Sequence, residues 1–283
     1  MFFMNTSQRQ YQHDLQKLIR QADKLDDVSA KRAIELLSSL RERVAAAIAS
    51  AEGYEMIHLQ RIMDEIGRVF VDFTNKYKLI MSEEERKAWL TGMNLVDEPL
   101  SKAGYVMQVT AMPMMSETQL GILQNFSADL ITGVGTETID KINKSLQLAI
   151  MGQKTPFEIM GEIGRNLKDP SIFRTLADRA EAITRTEINR VLNMSTIKRS
   201  EMASEIIPDM KKFWMHTNDN RTRPEHIKIG TETNPKYGGT PIPMKEDFVL
   251  NGPRGTEYAK GPHDPRLSAG NVIKCRCRLG FTI

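Results

Sequence analysis

Apolar side chains recur at spacings of three and four through the first two-thirds of the chain, the period of helices that bury one stripe. Residues 30–50 (A-K-R-A-I-E-L-L-S-S-L-R-E-R-V-A-A-A-I-A-S) are rich in strong helix formers. From Met56 to Ile80 one stripe carries Leu59, Ile62, Met63, Ile66, Phe70, Phe73, Tyr77 and Ile80, spaced for packing against other helices. Ser82 followed by Glu83, Glu84 and Glu85 has the form of an N-cap with acid in the first turn. It predicts a separate helix through Trp89 and Leu90. Between Gly104 and Ser116 the period is lost around Pro113, which predicts a loop over the core. Met107, Met112, Met114 and Met115 also suit it to adaptable contact with a partner. Ser116-Glu117-Thr118-Gln119 is close to a capping box and opens a helix through Ile131. A second helix is expected from Thr136-Glu137-Thr138 to about Met151-Gly152, and a third from Thr155-Pro156-Phe157-Glu158. Asp169-Pro170-Ser171 breaks the pattern, and a long helix follows from about Ser171 to about Glu205.

After Pro208 the texture changes. Turn pairs accumulate at Asn234-Pro235, Gly238-Gly239, Asn251-Gly252-Pro253, Gly261-Pro262 and Asp264-Pro265, with strands expected near 211–217, 247–250 and 272–282. The class is α+β: a long, mostly helical N-terminal half, then a small loop-rich β unit packed on a long helix. The division expected is a helical region over 1–115 and a second region over 116–283. The second comprises helices over 116–205 and the β unit over 208–283.

The final stretch, N-V-I-K-C-R-C-R-L-G-F-T-I from Asn271, has a period of two. As a strand it puts Ile273, Cys275, Cys277, Leu279, Phe281 and Ile283 on one face, and Lys274, Arg276, Arg278, Gly280 and Thr282 on the other.

Composition narrows the class. The 283 residues are 40% hydrophobic and 27% charged, as in an ordinary globular protein. No apolar run reaches the roughly 18 residues of a membrane span. The opening M-F-F-M-N-T-S-Q-R-Q lacks the pattern of a secretory signal. The only two cysteines lie two residues apart, which rules out a disulfide framework and suits a reducing compartment. The formal charge of +3 is too small to argue for nucleic acid alone, although the basic excess gathers in the C-terminal third.

Few side chains promise chemistry. Glu187 falls on the apolar stripe of Ala180, Ile183, Val191 and Met194. A buried carboxylate there needs a cation, for which Arg221 and Arg223 are the candidates. A structural ion pair is favoured over an acid catalyst. His226, His263, Cys275 and Cys277 form a ligand set suited to tetrahedral zinc. C-x-C on one strand face is a poor fit to zinc spacing, however, so the cysteines are expected to pack as small hydrophobes, with no metal and no cofactor. Lys211, Lys212, Lys274, Arg276 and Arg278 are candidates for phosphate contact on an outward basic face. No Gly-rich phosphate loop, H-E-x-x-H or G-x-S-x-G occurs.

The segments A-E-A-I-T-R-T-E-I-N-R (180–190), W-M-H-T-N-D-N-R-T-R-P-E-H-I-K-I-G (214–230), G-P-H-D-P (261–265) and V-I-K-C-R-C-R-L (272–279) resemble the phage head morphogenesis family, the minor head proteins of the Mu F type. The resemblance runs from about Ser116 to the end. It carries the family signature onto Arg185, Thr186, Glu187, Trp214, Asp219, Arg221, Arg223, His226, Cys275, Arg276 and Cys277. Lys274 stands where members often have Asn. The resemblance implies a structural virion protein of low copy number, inside the head near the portal and in the host cytoplasm during assembly. Head assembly, with DNA packaging or ejection, is the role it implies. The partners it implies are the portal protein, a scaffold or major capsid protein, and non-specific double-stranded DNA. Residues 1–115 are assigned to the portal and 116–283 to DNA. The competing reading is an enzyme: a metal-dependent phosphodiesterase using His216, His226 and His263, or a toxin-like transferase using Glu187.

Overall fold

The helical stripes are realised in longer elements than the capping signals predict. A computed structural model describes residues 6–49, 56–151, 153–154, 156–164, 167–168 and 170–283. The helices are α1 (Thr6–Ala49), α2 (Met56–Lys102), α3 (Val106–Ala111), α4 (Glu117–Ile150), α5 (Pro156–Ile163) and α6 (Ile172–Ile206). Then come β1 (Lys211–Met215), α7 (Pro224–Thr233), a 3-10 turn (Pro235–Tyr237), β2 (Ile242–Pro243), β3 (Phe248–Gly252), β4 (Gly255–Ala259), α8 (Ala269–Val272) and β5 (Arg278–Thr282). The α+β class holds. The expectations at Met1–Asn5, Ser50, Gly152, Thr155 and Asp169 lie outside the described residues.

Two helix starts are corrected. Ser82 does not open a helix: it lies inside α2, where its hydroxyl and carbonyl accept hydrogen bonds from Gln124 Nε2 at 2.9 and 3.0 Å. Thr136 and Thr138 likewise lie inside α4, and their hydroxyls donate to the carbonyls of Thr132 and Val134 one turn back. A polar residue before an acidic turn marks a helix start only if the preceding backbone is not already helical. Ser116 does precede α4, and its hydroxyl accepts from Thr118 N–H at 3.2 Å. The methionine segment is also partly helical, as α3. Met112 and Met115 are buried, while Met107 and Met114 are 79% and 86% exposed.

The chain forms two compact units, each assembled from separated segments. One comprises Val28–Glu83 and Gln124–Arg185. Its core is helix on helix, built on Leu37, Val44, Ile66, Phe70, Phe73, Ile142 and Phe173, with Phe70 and Phe173 rings 6.4 Å apart. Tyr77 ties it together, its hydroxyl donating to the Ala180 carbonyl at 2.8 Å and meeting Thr184 Oγ1 at 2.7 Å. The other unit comprises Met1–Asp27, Glu84–Leu123 and Thr186–Ile283. Here Arg199 on α6 binds Asp97 on α2 at 2.7 Å and the Pro113 carbonyl at 2.8 Å.

Within this second unit, β1 is the central strand of an antiparallel sheet ordered β2-β1-β5, and β3–β4 is a separate hairpin. The register pairs Trp214 with Leu279 and Phe213 with Gly280. The Phe213 ring occupies the space opposite Gly280, where a Cβ would lie 2.4 Å from Phe213 Cζ. The terminal strand is shorter than the alternation predicts. Only Arg278–Thr282 is strand, the chain turns through Lys274 (φ 55), and Ile273 is 48% exposed. The side chains of Lys212, Phe213 and Trp214 are buried in succession, as are Arg278 through Phe281, so both sheet faces are covered.

That covering corrects the basic face. Lys212 and Arg278 are 1% and 2% exposed and do not point to solvent. Arg278 donates to the Cys277 carbonyl at 3.2 Å and to Asp23 at 3.1 Å. Lys212 donates to the Lys260 carbonyl at 2.9 Å and lies over the Phe248 ring. Burial pushes its ammonium pKa down to about 8; Lys260 adds to the shift, while Asp247, Glu201 and Asp264 oppose it. An unfolded lysine titrates near 10.4, so between these values the unfolded chain binds the extra proton. Stability should therefore rise with pH from about 8 to about 10. Below that window the charged amine costs about 3 kcal/mol. Lys212→Met should flatten the rise and stabilise the chain at pH 7 by about 1–3 kcal/mol, read from denaturant midpoints across pH. An unchanged pH profile would place the amine in solvent.

Candidate functional site

The family-signature residues gather where α6, β1, α7 and the C-terminal turn meet. α7 begins at Pro224, the favoured first helical residue, with Arg223 as the extended residue before it. Arg223 donates to the Ile273 carbonyl at 2.7 Å. The turn before α7 is organised by Asp219, which accepts from Arg221 N–H at 3.1 Å and Thr222 Oγ1 at 3.0 Å and forms an ion pair with Arg276. The Arg276 guanidinium beside it, with these hydrogen bonds, lowers the Asp219 pKa to about 2. Thr186 on α6 accepts the Lys274 N–H at 3.0 Å, which anchors the left-handed turn to the helix. That conformation favours Asn or Gly, and Lys274 occupies it here.

Glu187 is buried on α6, but its partner is Arg190 at 3.0 Å, one turn along the same helix. Arg221 and Arg223 are not its partners: Arg221 is exposed beside Asp219, and Arg223 binds the Ile273 carbonyl. Burial raises the Glu187 pKa above the usual carboxylate range, against the attraction of Arg190 and His263. Removing the charge while keeping the shape should therefore cost little. Glu187→Gln should lie within about 1 kcal/mol of the parent at pH 7, and Glu187→Ala should lose about 2–3 kcal/mol through the cavity. Equal losses in the two thermal melts would contradict this order. Arg185 pairs with Glu181 at 2.8 Å.

Trp214 is fully buried and packs edge-on against His226 (5.2 Å between centroids) and Phe248 (5.4 Å). His226 Nδ1 lies 3.4 Å from Cys277 Sγ and 3.5 Å from Cys275 Sγ. Its Nε2 lies 3.2 Å from Asn271 Oδ1. Asn271 in turn donates through Nδ2 to Glu257 Oε1 at 2.9 Å, and Glu257 also accepts from the Ser268 backbone and hydroxyl. His263, in a left-handed conformation (φ 62), places Nε2 at 2.9 Å from the Cys275 carbonyl. Cys277 N–H points at Cys275 Sγ at 3.4 Å. The Cys277 thiol beside Cys275, helped by His226 and His263, holds the Cys275 pKa below the ordinary thiol value despite burial. Cys277, beside that incipient thiolate and wholly buried, is held above it.

Sequence reasoning singled out both cysteines, His226 and His263; the structure brings His226 and the two thiols within 4.8 Å of one another and sets His263 against the Cys275 carbonyl. It missed Asn271, Glu257 and Asn193, which donates to the Cys277 carbonyl at 3.3 Å. Asn271 and Glu257 lie in turn-rich sequence that has no period, and Asn193 is a buried polar residue of α6 that a stripe of apolar positions does not mark. Of the outward basic candidates, Lys211 and Lys274 are exposed and Arg276 is half-buried in its pair with Asp219. Among the described residues no helix is long and apolar enough to cross a membrane.

Residues 140–280 match the family described as Phage Mu protein F like protein. The chain is 30% identical over 118 residues to the uncharacterized protein YqbB of Bacillus subtilis, covering 42% of this chain and 34% of that protein. It is 32% identical over 95 residues to the NAD(+)--arginine ADP-ribosyltransferase EFV of Enterococcus faecalis, covering 34% of this chain and 17% of that protein. The chain thus spans only a minor part of the length of either relative. No solved structure matches.

Proposed function

With residues 140–280 belonging to the Phage Mu protein F like family, we propose that the chain is a minor head protein of a tailed bacteriophage. It acts at low copy inside the head, near the portal, in head assembly and in DNA packaging or ejection. The single observation that carries this reading is the family match, which spans α6 and nearly all of the β-rich region. The portal protein is the partner proposed, with a scaffold or major capsid protein beside it. The exposed Met107 and Met114 offer adaptable apolar contact for such a partner.

The protein is proposed to have no catalytic activity of its own. Glu187 is buried and paired with Arg190, out of reach of a substrate. His226 and His263 are buried, while His216 stacks on Tyr237, so the three histidines form no open hydrolytic centre. The similarity to an arginine ADP-ribosyltransferase favours a second reading, a transferase-associated protein carried in the head. Purified heads separate the two. The expected result is the full chain in the particle at a few copies, co-purifying with portal when the two are co-expressed. Its absence from particles, or NAD-dependent labelling of arginine substrates by the purified chain, would overturn the structural reading.

DNA contact is proposed for Lys211 and Lys274, with Arg276 held near the surface by Asp219. Each phosphate contact contributes about 0.9 to the salt dependence of affinity. Lys211→Glu with Lys274→Glu should therefore lower the slope by about 2, measured by anisotropy of labelled duplex with the full chain. An unchanged slope would remove both residues from the interface.

A further inference from the structure

Two thiols and the His226 imidazole meet in a buried part of the β-rich region, with the His263 ring against the Cys275 carbonyl, and the network around them decides the protonation of the rings. Asn271 Nδ2 donates to Glu257, which fixes the amide so that Oδ1 faces His226. Oδ1 can only accept, so His226 carries its proton on Nε2 and turns the bare Nδ1 lone pair toward both sulfurs. The Cys275 carbonyl likewise can only accept, so His263 carries its proton on Nε2. His263 Nδ1 is then a second bare lone pair, buried and without a hydrogen-bond partner.

A hydrogen-bonded packing cluster fits this arrangement poorly, because a buried acceptor without a donor is costly. A metal ion fits it well. Zinc bonds of about 2.3 Å to sulfur and 2.0–2.1 Å to nitrogen give sulfur–nitrogen edges of about 3.5 Å in a tetrahedron. The observed edges are 3.4 and 3.5 Å, and the three ligand atoms of His226, Cys275 and Cys277 lie within 4.8 Å of one another. An imidazole that ligates through one nitrogen usually gives its other N–H to a fixed acceptor, the role Asn271 plays. The C-x-C spacing is no obstacle, because Cys275 and Cys277 do not stand on a strand. β5 begins at Arg278, and the turn through Lys274 brings both sulfurs to one ring.

We propose that His226, Cys275 and Cys277 hold a structural zinc ion, with His263, which stands outside that triad against the Cys275 carbonyl, shifting inward as the fourth ligand, so that the ion ties α7, the 261–265 turn and the segment before β5 together. Binding releases one proton from each thiol to solvent, and the two thiolates neutralise the charge of the zinc ion. Two thiolates with two imidazoles select zinc over the hard cations calcium and magnesium.

The test uses the full chain, grown with added zinc and purified without chelator or a histidine tag. Elemental analysis should find about one zinc per chain. Exchange for cobalt should give the intense visible bands of a tetrahedral thiolate site. Stripping zinc from the parent protein should lower its melting temperature and expose both thiols to a disulfide reagent, and re-adding zinc should reverse both changes. Cys277→Ser and His226→Gln should lose the zinc, and His263→Gln should shift the cobalt bands. A parent chain that holds no zinc above the blank and gives no tetrahedral cobalt spectrum overturns the site. Cobalt bands unchanged in a folded His263→Gln protein overturn the four-residue set.

Discussion

Trp214→Ala should cost the β-rich region about 3–5 kcal/mol, the range for truncating a fully buried large aromatic. The side chain has no exposed surface, and it braces His226 on α7 and Phe248 on the β3–β4 hairpin from the central strand. Its loss opens a cavity bounded by three elements, and β1 is hydrogen-bonded on both edges and has little freedom to collapse into it. Trp214→Phe should recover part of the loss, because a smaller ring still meets both neighbours edge-on. Because the chain forms two compact units, a single melting temperature would mix them. Hydrogen exchange resolved by peptide is the better measurement. Protection should fall across residues 208–283 and persist in 28–83. A loss below about 1 kcal/mol would mean that the pocket closes without the indole.

The legible part of the fold was the part with a period. Leu59, Ile62, Ile66, Phe70, Phe73 and Tyr77 are buried because three-and-four spacing puts them on one side of α2, with Met63 half-buried at its edge. Capping signals were less informative. Ser82 and Thr136 satisfy their hydroxyls inside continuous helices, and a local signal cannot tell that from a true start. At the C-terminus, alternation placed Cys275, Cys277, Leu279 and Phe281 inside but failed for Ile273, which is exposed, and Arg278, which is buried. A period of two identifies an outward face only when one face of the sheet is open, and here both are covered.

The candidate site followed the same division. Residue types pointed to His226, His263, Cys275 and Cys277, while their spacing argued against a metal. The spacing argument assumed a strand, whereas the chain makes a turn at Lys274. The partners that orient the rings, Asn271 and Glu257, come from α8 and β4, and only the folded arrangement brings them together. Glu187 was correctly expected to be buried and paired, yet its partner lay three residues away on its own helix instead of on the distant turn.

Gly92→Ala should destabilise the unit that contains the second half of α6 by about 3 kcal/mol, although helix propensity alone predicts a gain of about 1 kcal/mol. Gly92 lies within α2, where the chain passes close to α6. A Cβ there would fall 1.9 Å from Ser195 Oγ and 2.3 Å from the Leu192 carbonyl oxygen. The serine hydroxyl has little room to move aside, since it is buried and donates to Leu192 O at 2.9 Å. The carbonyl belongs to the helix backbone and cannot turn away without breaking the helix ladder. The two helices must therefore separate. That would stretch the hydrogen bond from Thr196 Oγ1 to the Gly92 carbonyl, now 3.1 Å, and the ion pair of Arg199 with Asp97. Denaturant unfolding of the full chain, followed by exchange in α2 and α6 peptides, gives the sign directly. Stabilisation by alanine would mean that the approach of α2 to α6 is looser than these distances require.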